Sequence, residues 1–142
     1  MDPGVHSRVK VRATSASAGY IALMAQLVTP QLRSTNWERT RAFYVDGLGF
    51  RVDWTHQFEP GLPTFAGVSL DGRGLFVTEH TGDCEPGGAA YIIVDDVDAL
   101  YERIRSRVHV HEPPEEAPWG VREMMVIDPD GNRLRFANLK AE

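Results

Sequence analysis

The sequence predicts an α+β fold built from two βαβββ halves. Three observations carry that expectation. The order strand, helix, three strands runs twice along the chain. Two helix cores of like composition, Ala42-Phe43-Tyr44 and Ala99-Leu100-Tyr101, lie about half a chain apart. A Pro86-Gly87-Gly88 break separates the two runs.

In the first half, residues 27–33 read as a strand. Thr35-Asn36-Trp37-Glu38 follows as a capping box, with Thr35 as N-cap and Glu38 reaching back to the free backbone donors. The helix carries Trp37, Arg41, Tyr44 and Leu48 on one stripe and stops at Gly47 and Gly49. Residues 50–57, 64–70 and 74–80 are then strands, the last two joined by an Asp71-Gly72 turn.

In the second half, residues 89–94 form a strand and Asp95-Asp96 supplies an N-cap. Val97, Leu100, Tyr101 and Ile104 recur at helical spacing. Residues 108–112 are a strand, and Pro113-Pro114 opens a loop that runs to Pro118-Trp119-Gly120. Residues 122–127 and 133–139 form a hairpin through Asp128-Pro129-Asp130-Gly131, where proline second and glycine fourth suit a type I turn with a bulge.

A chain of 142 residues, 42% hydrophobic and 25% charged, suits a single folded domain. No apolar run approaches the roughly 18 residues of a membrane helix. Cys84 is the only cysteine, so no intrachain disulfide is possible and a cytoplasmic location is the default. Residues 1–26 differ from the rest: they hold Arg8, Lys10 and Arg12 against Asp2, too short an apolar stretch for a signal peptide, and a candidate start at Met24. They are expected to be an extension of unassigned role ahead of a domain at 27–142, with halves 27–85 and 86–142. The net charge of −5 leaves −7 on residues 27–142, which repels nucleic-acid backbones and excludes them as expected partners.

Three segments resemble the glyoxalase/bleomycin-resistance/dioxygenase superfamily. They are Arg41-Ala42-Phe43-Tyr44-Val45-Asp46-Gly47-Leu48-Gly49-Phe50, then Val94-Asp95-Asp96-Val97-Asp98-Ala99-Leu100-Tyr101, and finally Pro118-Trp119-Gly120 through Arg122-Glu123 with Asp128-Pro129-Asp130-Gly131-Asn132. The resemblance implies the vicinal oxygen chelate fold, in which the two modules form a cupped eight-stranded mixed sheet around a cleft. It also implies dimers, or modules exchanged between chains. Enzymes of the family hold a divalent metal in the cleft, with His, Gln or Glu from one strand position in each quarter, and use it as a Lewis acid.

Registered on Phe43-Tyr44, those four positions fall at Thr29, Phe76, Ala89 and Arg135. They make a poor divalent site, and Arg135 repels a cation. Gln31, Glu79 and His80 lie nearby but cannot restore all four. No metal, cofactor or catalytic residue is therefore expected. His109 and His111 read as structural residues, and Cys84 has no neighbouring base to activate it.

Metal-less relatives include the bleomycin resistance proteins, which bind the drug between subunits without transforming it. The residues expected to line such a pocket are Asp53, Trp54, Phe58, Phe65, Tyr91, Trp119, Glu123 and Arg135. Rings would stack a flat heteroaromatic group. Asp53, Glu59, Glu115 and Glu116 would meet cationic groups. Strand alternation sends Arg135 to the cleft face, where Glu123 on the next strand can pair with it. Trp54, Phe65 and Tyr91 also suit a core or a dimer interface. The expected function is sequestration of a bleomycin-type antibiotic by a homodimer. A metal-dependent glyoxalase- or dioxygenase-like enzyme is the alternative, and a ligand sensor a third reading.

Overall fold

The protein is described by a computed structural model in which residues 26–140 are placed. The readings of the extension, including Met24 and the basic stretch, lie outside the described residues, as do residues 141–142. Eight strands appear in the expected order. The first half holds β1 (Gln31–Arg33), α1 (Trp37–Arg41), which continues as a π-helical segment (Ala42–Gly47), β2 (Arg51–His56), β3 (Phe65–Leu70) and β4 (Arg73–Thr78). The second holds β5 (Ala89–Ile93), α2 (Val97–Ile104), β6 (Val110–Ala117), β7 (Val121–Ile127) and β8 (Arg133–Leu139). The strands divide into two four-stranded sheets of matching topology, β1-β4-β3-β2 and β5-β8-β7-β6, each with one parallel and two antiparallel pairings. No helix among the described residues is long and apolar enough to cross a membrane.

Three local expectations are corrected. The first helix is capped by Asn36, whose side chain accepts from the Arg39 N–H, and not by Thr35. Thr35 turns instead to the second half, where its hydroxyl and backbone N–H both bond Asp130. The role expected of Glu38 falls to Glu79 at the end of β4: its carboxylate accepts from the Trp37 N–H at 2.9 Å, so a distant residue finishes the cap. The second correction is the expected loop at Pro113-Pro114, which is strand. β6 runs through both prolines because it is the edge of its sheet, where a missing N–H costs no ladder bond, and two register shifts absorb the irregularity. The third is β1, only three residues long where residues 27–33 were expected.

The turns follow their sequence signals. Asp71 and Gly72 both have positive φ, 48° and 82°, as the mirror-image hairpin turn requires. Gly131 takes φ 80° after the Asp128-Pro129-Asp130 turn. In the second helix, Asp96 caps as expected through a bond from the Ala99 N–H.

One core joins the two halves. Leu32, Tyr44, Leu48, Phe50, Val68, Leu75 and Val77 of the first pack with Val97, Leu100, Ile104, Met124, Val126, Leu134 and Phe136 of the second. The Phe50 and Phe136 rings meet across the join at 6.4 Å. A buried polar hub locks it. The Asp128 carboxylate accepts from the Tyr44 hydroxyl at 2.8 Å, from the Asn132 amide, and from the backbone N–H groups of Asp130 and Asn132. Burial raises the Asp128 carboxyl pKa, opposed by these hydrogen bonds, and burial together with Asp128 raises that of Tyr44.

Candidate functional site

Because side chains alternate along a strand, each sheet has a core face and an opposite face. On the first sheet the core face carries Leu32, Ala66, Val68, Leu75 and Val77. The pairing of Gln31 with Phe76, Arg33 with Thr78, Trp54 with Gly67 and His56 with Phe65 places these residues on the other face. On the second sheet Ile92, Met124, Val126, Leu134 and Phe136 face the core, leaving Tyr91, Glu123 and Arg135 opposite. The expected site residues sort into two clusters, one on each of these opposite faces.

The first cluster is aromatic. Trp54, Phe65 and Phe76 meet edge to face, with centroids 5.0 Å apart for Trp54 and Phe65, 5.3 Å for Trp54 and Phe76, and 5.2 Å for Phe65 and Phe76. Gly67 lies opposite both Trp54 and Phe76, so no side chain separates the two rings. A register shift between Val52 and Trp54 sets Asp53 at a bulge. Its side chain is only 4% exposed, one oxygen bonds Arg51 at 2.7 Å, and the other is buried without a hydrogen-bond partner. Phe58 follows in the loop, exposed, with its ring against His56 and His80. Sequence reasoning treated Phe76 only as a vacated metal position. It is the third ring of the cluster, and its parallel pairing beside Gln31 was the signal that only structure supplied.

The second cluster is polar with an aromatic rim. The Tyr91 hydroxyl donates to Glu123 at 2.7 Å. Arg135 bonds Glu123 at 3.1 Å and Glu112 at 3.2 Å, so the expected Glu123 pairing is present and Glu112 is an added partner. The hydrogen bond to Glu123, then burial, raises the Tyr91 pKa, while the Trp119 side chain works against that rise. Trp119 is 68% exposed at the rim of a hollow of about 200 Å³, lined also by Glu112, Glu115, Glu116, Glu123 and Arg135. Glu116 is engaged by Lys140 at 3.1 Å. Tyr91 also borders a wider groove of about 530 Å³ that runs past Ile93 to Val28, Pro30 and the Asp71-Gly72 turn.

The pairing also moves two of the positions expected for metal ligands. Gln31 stands directly beside Phe76, and Tyr91 beside Arg135. Gln31 and Tyr91, not Thr29 and Ala89, are thus the central first-strand residues of the two halves. Thr29 precedes β1 and accepts from Gln26. The set Gln31, Phe76, Tyr91 and Arg135 does not fit a divalent cation: it offers one neutral amide oxygen, a phenol already donating to Glu123, and a guanidinium held by two carboxylates. Among the described residues no three His, Cys, Asp or Glu side chains converge as a metal site. Burial and Asp83 raise the Cys84 thiol, which lowers its thiolate content and its reactivity.

Two βαβββ modules, one with packed rings and the other with hydrogen-bonded polar groups on the face away from the core, make up the chain. The chain belongs to the glyoxalase superfamily, whose family profile matches residues 12–142. Among solved structures it is similar to a member of the glyoxalase/bleomycin resistance protein/dioxygenase superfamily from Sphaerobacter thermophilus. That likeness has 28% identity and a TM-score of 0.62 over 78% of this chain and 96% of the other. The bleomycin resistance determinant encoded on transposon Tn5 shares the fold at 24% identity and a TM-score of 0.63, covering 80% of this chain and 98% of its own. TnmS3, an antibiotic binding protein from Streptomyces sp. CB03234, does so at 24% identity and 0.62, over 78% and 92%. No curated protein sequence matches the chain.

Proposed function

We propose that the protein binds a small molecule of the bleomycin antibiotic class and sequesters it without chemical turnover, in a cleft completed by a second copy of the chain. One observation carries the reading. At the four paired positions central to the first and last strands of the two halves, candidates for the family's metal donors, this chain has Gln31, Phe76, Tyr91 and Arg135, which suit stacking and hydrogen bonding better than holding a cation. The Tn5 determinant and TnmS3, named for bleomycin resistance and antibiotic binding, support it through the shared fold.

The two clusters divide the work. Phe65 and Phe76, backed by Trp54 and flanked by Phe58, accept a flat ring system. Tyr91, Trp119 and the carboxylates beside Arg135 receive polar and cationic parts. Asp53, held by Arg51, shapes the bulge that presents Trp54. Binding needs no covalent step, so the residues act by stacking, hydrogen bonding and exclusion of water.

Calorimetric titration with metal-free and copper-loaded bleomycin tests this, alongside sedimentation to count subunits. Saturable heat at one drug per site in a dimer is expected. No heat at saturating drug, or stoichiometric tightly held metal after chelator-free purification, refutes it; the second result favours an enzyme.

A further inference from the structure

Arg33 is the unexplained charge on the aromatic face. It lies at the end of β1 beside Thr78, in the strand row that continues through Phe65 to His56. The side chain is partly buried, and its Nε is fully shielded from solvent with no hydrogen-bond partner. Among the described residues its guanidinium forms no ion pair and no hydrogen bond. The carboxylate of Asp83, which lies in the same region, accepts from the Thr78 hydroxyl at 2.7 Å instead. Two other arginines on these faces have carboxylates, Arg51 with Asp53 and Arg135 with Glu112 and Glu123.

Arg33, Asp83 and Glu85 all act on the Cys84 thiol, yet neither carboxylate pairs with the guanidinium. A partly desolvated guanidinium with no carboxylate in contact is costly, and an anion arriving from outside recovers part of that cost. What lies alongside it is the set of mutually packed rings of Phe65, Phe76 and Trp54. We propose that this face takes a planar aromatic anion, an arene bearing a carboxylate or sulfonate, with its ring on Phe65 and Phe76 and its anionic oxygens on the Arg33 fork. The inference goes beyond the drug class proposed above by naming a second, anionic ligand class for the aromatic face, and it rests on that face being a binding surface. The guanidinium geometry favours a two-oxygen anion because two parallel N–H groups match it.

The test compares anilinonaphthalenesulfonate with its uncharged parent, phenylnaphthylamine, by fluorescence titration of the full chain. The wild-type protein is expected to bind the sulfonate more tightly than the parent by about tenfold or more. Arg33→Gln is expected to erase that difference by weakening the sulfonate alone, and Phe76→Ala to weaken both probes. Arg33→Lys keeps the charge without the fork and is expected to fall between. Equal affinities of the two probes for the wild-type protein overturn the proposal without any variant, as does undiminished sulfonate binding by a folded Arg33→Gln protein. If bleomycin binds while the sulfonate does not, only this inference fails. If neither binds, the function proposed above fails with it.

Discussion

Tyr44→Phe removes one hydroxyl from the join between the halves and is expected to cost about 2 kcal/mol. Tyr44 is wholly buried, so no water can replace the lost donor, and its bond to Asp128 is 2.8 Å long. A hydrogen bond to a charged group contributes roughly 1.5–3 kcal/mol, and here three donors remain on Asp128 to soften the loss. In a domain of this size the expected fall in Tm is about 6–10 °C. The effect has a pH signature. Burial raises the folded-state pKa of Asp128, so its contribution to stability is full below the unfolded carboxylate value of about 3.9 and is lost as pH rises through the raised value. Removing the Tyr44 donor, which holds that pKa down, raises it further. The difference between variant and wild type must therefore be larger at about pH 7 than at about pH 4. Urea unfolding at both pH values measures it. A loss under about 0.5 kcal/mol, or one that grows as pH falls, would show that Asp128 is not the charged hub of the join.

Two further outcomes follow from the second cluster. Glu123→Gln is expected to lower the Tyr91 titration toward the ordinary tyrosine range, because the charged acceptor is the main cause of its rise. Stability should change by no more than about 1 kcal/mol, since Arg135 keeps Glu112 and is itself partly exposed. Ultraviolet difference titration against Tyr91→Phe reads the shift, and an unmoved titration contradicts the network. Trp119→Ala should weaken bleomycin binding about 2- to 10-fold by loss of a stacking partner while leaving stability within about 0.5 kcal/mol, because the ring is mostly exposed. A large fall in stability with unchanged affinity would assign Trp119 to packing instead.

How much of this was legible before folding differs between scaffold and site. The repeated strand and helix order could be read because each half carries its own periodicity and its own turns. Asp71-Gly72 and Asp128-Pro129-Asp130-Gly131 specify backbone angles that those residues adopt locally. Arg135 facing away from the core followed from alternation alone, since Leu134 and Phe136 must face inward. The Asp96 cap followed from residue type at a helix start.

Residues distant in sequence decided the rest. Thr35 is a sound cap on local chemistry, yet Asp130, far along the chain, draws it away and leaves Asn36 to cap. Two prolines read as a loop until the position of β6 at the sheet edge makes them harmless. Phe76 looks like a lost ligand until its pairing shows it completing a three-ring cluster, and Arg33 looks ordinary until the fold leaves it without a carboxylate. The sequence by itself determined the two βαβββ halves, the family and the face on which Arg135 lies. Only the tertiary structure decided which residues stand side by side there, because strand register and the neighbours of a charge depend on segments that meet only once the chain has folded.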